Sequence, residues 1–402
     1  MINCNYKNRI ISGYLGKLII MSNILNSNDD IDENGFDKED FGDYDDSLEK
    51  VEPFDPKKVD VSITTPNLGT LIMRLTHDEI DLMPNFQRSA DLWNKQEQSR
   101  LIESILIRLP IPAFYFDALV EDKWQVVDGL QRLSAIGNFV VHKTLTLTNL
   151  EFLTDYEGFS YDELPRALQR RIDEFQTSVY LIKPGTPLEM KYSLFNRINT
   201  GGLKLNPQEI RHAMSQSVNS GAASTFLRTL VLEDDFLSVV INRNQRMSHE
   251  ELALRHIIFR LYGSDTYKSS LPNFLNLGMI ELGRLDDNRL EILKSDFLAS
   301  MKTAYEIFGE NAFKKSLLEP THKKVVNKPL FEAVSVSLAA LDHESRQCLV
   351  EHKFKFQEEF KSLLKDPDFD ISISKSTANT NNVQTRFGRV RDLIDNFLSK
   401  EK

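Results

Sequence analysis

The hydrophobic periodicity of this 402-residue chain changes character near residue 215, and that change narrows the folds open to it. From about Val59 to residue 215, short apolar runs with strand-like character alternate with amphipathic helical segments. Beyond 215 the pattern is almost wholly helical, and proline and glycine become sparse. Leu252, Leu254, Ile257, Ile258 and Leu261 line one side of a helix, and similar spacing recurs over 285–308, 329–341 and 346–364. The expectation is an α+β chain: a mixed α/β domain over 59–215 followed by an all-helical domain over 216–402. No repeat of constant period is visible.

The first 58 residues are of another kind. Residues 29–60 hold 14 acidic and 4 basic side chains, which accounts for the chain's whole formal charge of −10. With few aliphatic side chains and strong self-repulsion, Ser27–Asp60 reads as a disordered tether, and residues 1–58 as a whole as a disordered acidic N-terminal segment. The alternative is a nucleic-acid mimic that shields a basic cleft. Because the acid is confined to the tail, net charge does not argue against a nucleic-acid partner for the body. Cys4 and Cys348 are the only cysteines, too few for a disulfide framework or a cysteine zinc site. The apolar run Ile10–Met21 is interrupted by Lys17 and falls short of the roughly 20 residues that span a bilayer. The expectation is a soluble, cytoplasmic protein without a membrane partner.

Inside 59–215 the local signals are specific. Asn94 and Glu97 form a capping-box pattern. The helix that follows sets Leu101, Ile102, Ile105 and Leu109 on one face and ends at Pro110. AFYFDAL and WQVVDG, separated by a polar turn at 121–123, read as a hairpin, and a helix starts at Gly129–Leu130 with Leu133, Ile136 and Val140 on its apolar side. Asn206, Pro207 and Glu209 mark another helix start.

Three stretches carry chemistry. In Val126-Val127-Asp128-Gly129-Leu130-Gln131-Arg132 an apolar strand passes through glycine into a helix, a turn that points free N–H groups at one place and suits an anion. Arg132 adds a bidentate phosphate donor. Asp128 repels phosphate, so its functional role is to hold a bridging Mg²⁺ or to activate a water. The plain alternative is that Asp128 caps the helix and Arg132 pairs with a carboxylate. In Phe195-Asn196-Arg197-Ile198-Asn199-Thr200-Gly201-Gly202, adjacent glycines permit a tight turn whose N–H groups converge on an anion, or else form an ordinary Asn- and Gly-rich turn. In Asn85-Phe86-Gln87-Arg88, Arg88 supplies a third cation, and Trp93 beyond it either stacks on a base or fills the core. A nucleoside triphosphate needs this list: donors from separate segments, a glycine turn and a carboxylate for its metal. There is no GxxxxGK[ST], GxSxG or HExxH motif, and the eight histidines are scattered without a nuclease pattern.

At NFQR (85–88), Trp93, QSRLIESI (98–105), LPIP (109–112), VVDGLQRLSAI (126–136) and FNRINTGGLKLNPQEIRHA (195–213), the chain resembles the N-terminal domain of GmrSD-type restriction enzymes, of ParB/sulfiredoxin-like fold. The likeness runs over roughly 65–215. The helical part, with NKPLFEA at 327–333 and VQTRFGRVRDLI at 383–394, is similar to the extension of stand-alone members, and the C-terminal HNH (histidine-metal) nuclease motif of several relatives is missing. The resemblance implies a domain that binds and hydrolyses a nucleoside triphosphate. The family's Asp-Gly-Gln-Gln-Arg motif maps onto Asp128, Gly129, Leu130, Gln131 and Arg132; Leu130 in place of the first glutamine implies weakened turnover. Asp128, Gln131 and Arg132 are then the catalytic candidates, with Asp128 also the Mg²⁺ ligand. Gln87, Arg88, Gly129, Asn196, Arg197, Asn199, Thr200 and Gly201 are the nucleotide-binding candidates. The expected setting is anti-phage defence or modified-DNA processing, with DNA and a separate nuclease as candidate partners. Its rivals are a non-catalytic DNA-binding adaptor and a metal-dependent nuclease on the same fold.

Overall fold

A computed structural model describes residues 32, 36–39, 60–82, 93–120, 123–198, 206–217, 221–241, 244, 246–268, 270–318 and 324–401, with the side chains at 119, 120, 188, 189, 193, 196, 197, 216 and 217 left out of the description. The chain divides into two compact units, Lys50–Ser217 and Met1–Glu49 with Val218–Lys402.

In the first unit, β1 (Val61–Thr64), β2 (Ile80–Asp81), β3 (Phe114–Val120), β4 (Lys123–Asp128) and β5 (Val179–Ile182) form one sheet of order β1-β5-β3-β4-β2. β3 pairs antiparallel with β4, as the hairpin pattern predicts, and parallel with β5. β1 closes one edge antiparallel to β5, and β2 the other, parallel to β4. Strand alternation sends successive side chains to opposite faces. Phe114, Phe116, Val126 and Val179 face a core built with α1 (Leu68–Thr76), α2 (Lys95–Leu106), α3 (Leu130–Ile136) and α4 (Arg166–Asp173). Val127 and Ile182 face the other way, where Tyr192 and Phe195 of α5 (Leu188–Ile198) and Ile210 and Met214 of α6 (Pro207–Ser217) cover them.

The caps explain where the helices begin. Asn94 accepts from Glu97 N–H at 3.0 Å while the Glu97 carboxylate accepts from Asn94 N–H at 2.8 Å, the capping box read from sequence. Asn206 and Glu209 exchange the same pair of bonds at 2.8 and 2.7 Å, and Pro207 supplies the first helical position. The end of α2 departs from expectation. The helix closes at Leu106, Arg108 takes a left-handed φ of 64°, and Leu109 lies exposed beyond the helix instead of on its apolar face. Trp93 packs, partly buried, against the core.

The regular elements described in the second unit are helices, from α7 (Ala222–Val231) and α8 (Asp234–Val239) through α9 (Ser248–Tyr262), α10 (Leu271–Leu282), α11 (Asp287–Phe308) and α12 (Lys328–Ala339) to α13 (His343–Glu351), α14 (Lys353–Leu364), α15 (Pro367–Ser374) and α16 (Thr380–Glu401). The segment 346–364, expected as one helix, is two: His352 (φ −103°, ψ 26°) leaves the helical range and donates its N–H back to Cys348. Arg386 is a core group, 1% exposed and bound to Glu332 at 2.7 Å. The acidic tail also differs where it is described: Phe36 is fully buried in the helical core and Glu39 pairs with Arg255. An aromatic side chain inside an acidic run, together with a buried cation to meet the acid, outweighs the self-repulsion on which the tether reading rests. Among the described residues no helix is long and apolar enough to cross a membrane.

Candidate functional site

β4 runs into α3 through Asp128 and Gly129. Tyr115 pairs with Asp128 and Phe116 with Val126, so β4 carries one extra residue, Val127, immediately before the turn. Such a bulge re-aims the side chains next to it. Gly129 then adopts φ 102°, and a Cβ there would lie 2.5 Å from Phe114 Cδ1. Two separate constraints, backbone handedness and contact with Phe114, therefore demand glycine at this position.

Arg132, one turn into α3, is 8% exposed. Its Nη2 lies 2.7 Å from Asp128 Oδ2 and 3.2 Å from Ala113 O, its Nη1 donates to Pro112 O, and its guanidinium carbon sits 4.8 Å from the centre of the Phe114 ring. The plain alternative reading of the sequence, Arg132 paired with a carboxylate, describes this arrangement; Asp128 does not cap the helix, because Gly129 occupies that position. Burial pushes the Asp128 carboxyl above its ordinary value, against the Arg132 charge and the Gly129 N–H, which favour ionisation. Its side chain keeps 26% of its surface exposed, so a water or a cation can reach it.

Gln131 accepts from Trp93 N–H at 3.2 Å, and Gln98 donates to Trp93 O at 2.9 Å. Those two amides join α3 and α2 through the residue that follows the NFQR stretch. Tyr115 is a site residue that the sequence reading missed. Opposite Asp128 in the ladder, it stacks on Tyr180 with ring centres 4.7 Å apart, and burial first, then Tyr180 and Asp128, raises its hydroxyl pKa. Only the hairpin register, once known, could have signalled it.

Of the remaining candidates, Asn196 and Arg197 lie on the last turns of α5, with side chains outside the description. Gln87, Arg88, Asn199, Thr200 and Gly201 lie outside the described residues altogether. Two buried polar contacts hold the helices on either side of 199–205 to the sheet. Lys191 of α5 meets Asp117 of β3 at 2.7 and 2.8 Å, and Gln125 of β4 donates to Ala213 O of α6 at 2.5 Å. Among the described residues no group of three or more His, Cys, Asp and Glu side chains converges as a metal cluster.

Residues 71–215 match the family model of the GmrSD restriction endonuclease N-terminal domain. No curated protein and no solved structure gives a significant match to the chain.

Proposed function

From a chain that carries a GmrSD-type N-terminal domain over residues 71–215, we propose a nucleoside triphosphate-binding and hydrolysing protein that acts in anti-phage defence or modified-DNA processing. The observation that carries the reading is the turn at Asp128 and Gly129, where a part-exposed carboxylate of raised pKa stands at the mouth of a glycine-capped helix. A base whose pKa is lifted toward neutrality accepts a proton from an attacking water more effectively. In this reading Asp128 takes that proton or holds Mg²⁺, and Arg132 fixes the carboxylate's orientation. Gln131 holds Trp93 beside α3 through its bond to the Trp93 N–H.

A single carboxylate fits Mg²⁺, an ion that commonly takes one or two protein carboxylates and completes its shell with water and phosphate oxygens. When bound, it would supply charge neutralisation at the phosphates. Arg88, Arg197, Asn196, Asn199, Thr200 and Gly201 are proposed to cradle the phosphates and sugar, with the Gly129 turn beneath them. Because Arg132 already has an anionic partner, the phosphate charge falls in this reading chiefly to Arg88 and Arg197. Leu130 offers no amide to orient water, so turnover is expected to be slow.

Phosphate release from each of the four nucleoside triphosphates, with and without Mg²⁺ and DNA, tests the reading. Wild-type protein should hydrolyse at least one of them, and Asp128→Asn should lose about 10²–10⁴-fold in rate. Release that is unchanged in Asp128→Asn would end the assignment. Salt-dependent duplex binding that ignores both nucleotide and Asp128→Asn would favour an adaptor, and plasmid nicking abolished by that substitution a nuclease.

A further inference from the structure

The acidic segment leaves a specific imprint on the helical unit. Glu39 accepts from both terminal nitrogens of Arg255, at 2.9 and 2.7 Å. Asp32 lies 3.1 Å from Lys328 Nζ and also accepts from Phe36 N–H at 2.9 Å. Phe36 fills the core beneath it, its ring edge-on to His249 at 6.4 Å and 5.4 Å from Lys328 Nζ. Asp37 donates its N–H to Val326 O at 3.1 Å and accepts from Asn327 Nδ2 at 2.9 Å. An aromatic anchor, ion pairs from Asp32 and Glu39 and a main-chain bond make up the contact pattern of peptide recognition.

The side chains that meet the segment are also held by one another. Arg255 also pairs with Glu251 and Glu332 at 2.7 Å each, Lys328 lies 3.8 Å from Glu251, and Arg386 is held by Glu332. With the segment's own acids set aside, three cations, Arg255, Lys328 and Arg386, face the two acids Glu251 and Glu332, an excess of positive charge around the core position that Phe36 fills.

We propose that this slot is a recognition site for acidic–aromatic peptide segments of the pattern Asp-x-x-x-Phe-Asp-x-Glu, and that Asp32–Glu39 is its resident, exchangeable occupant. A tethered ligand enjoys an effective concentration of roughly millimolar order, so the chain's own segment excludes a free peptide of equal intrinsic affinity. A partner displaces it by binding the slot more tightly or by presenting several copies of the motif.

The test uses a fluorescent peptide spanning Asn28–Asp43 and the full-length chain. Protein carrying Phe36→Ala and Glu39→Ala should bind the peptide at least about tenfold more tightly than wild type does. Peptides carrying Phe36→Ala or Glu39→Lys should lose about tenfold or more in affinity. Equal binding by the two proteins, or equal binding of a scrambled peptide of the same charge, overturns the proposal. Circular dichroism reports whether the double variant folds, and full-length Glu39→Lys, which keeps the aromatic anchor, replaces it if not. If neither variant folds, Asp32–Glu39 is an integral core element and the proposal is likewise overturned.

Discussion

Glu103 on α2 shows how one side chain organises a loop 50 residues away. Its carboxylate accepts from Glu151 N–H at 3.0 Å, Phe152 N–H at 2.7 Å and Leu153 N–H at 2.8 Å. Burial opposes its ionisation, yet the three N–H donors outweigh burial and hold its pKa below the ordinary glutamate value of 4.5. Glu103→Gln keeps the shape but loses the charge, and hydrogen bonds to a charged group contribute about 1.5–3 kcal/mol. Urea unfolding at pH 7 should show a loss of that order. A depressed folded pKa means that the stabilisation is present above the unfolded value and lost as pH falls through the folded one. The difference between variant and wild type should therefore shrink below pH 4.5. An equal gap at pH 7 and pH 3 would show that packing, not charge, is what the substitution removes.

At the scale of elements, α5 and α6 are held to the sheet by polar groups in an otherwise apolar layer. Asp117 is fully buried and Lys191 nearly so, and burial raises the Asp117 pKa against the pull of Lys191. Removing one partner of a buried pair costs about 3–5 kcal/mol, because a charge is stranded, whereas replacing both with apolar residues is often close to neutral. Lys191→Met should be the more damaging change, and Asp117→Leu combined with Lys191→Met should recover most of the loss in thermal unfolding. The stranded Asp117 can take up a proton, so the Lys191→Met deficit should be smaller at pH 5 than at pH 8; a deficit independent of pH would contradict this account. These tethers also mark the limit of what the sequence discloses. Asn94–Glu97 and Asn206–Glu209 are legible because cap and partner sit three residues apart, and the β3–β4 hairpin because its alternation is local. Asp117 and Lys191 are separated by 74 residues, and nothing near either position announces the other. The same holds at the site: Gly129 is legible from the strand-to-helix change, whereas Tyr115 becomes visible only through the strand register.

For the whole molecule, two units with separate cores should unfold in two steps, and acid should distinguish them. In the helical unit His256 is fully buried, with Nδ1 2.9 Å from Ser335 Oγ and its ring edge-on to Phe297 at 4.9 Å. Burial, with the Arg260 charge second, pushes its pKa from 6.5 down to about 3. The unfolded chain therefore takes up a proton near pH 6.5 that the folded unit refuses until about pH 3. The stability contributed by neutral His256 is complete above that window and lost progressively as pH falls through it. The sheet unit behaves differently over the same range. Asp117 and Asp128 have raised pKa values, so their protonation favours the folded state, and the Glu103 contribution fades only below 4.5. Calorimetric scans at pH 7.5, 6 and 5 should show the helical transition moving to lower temperature while the other holds. His256→Gln, which retains a polar partner for Ser335 but cannot titrate, should flatten the acid slope of the helical transition alone. Parallel movement of both transitions, or an unchanged slope in His256→Gln, would place the acid sensitivity elsewhere than His256.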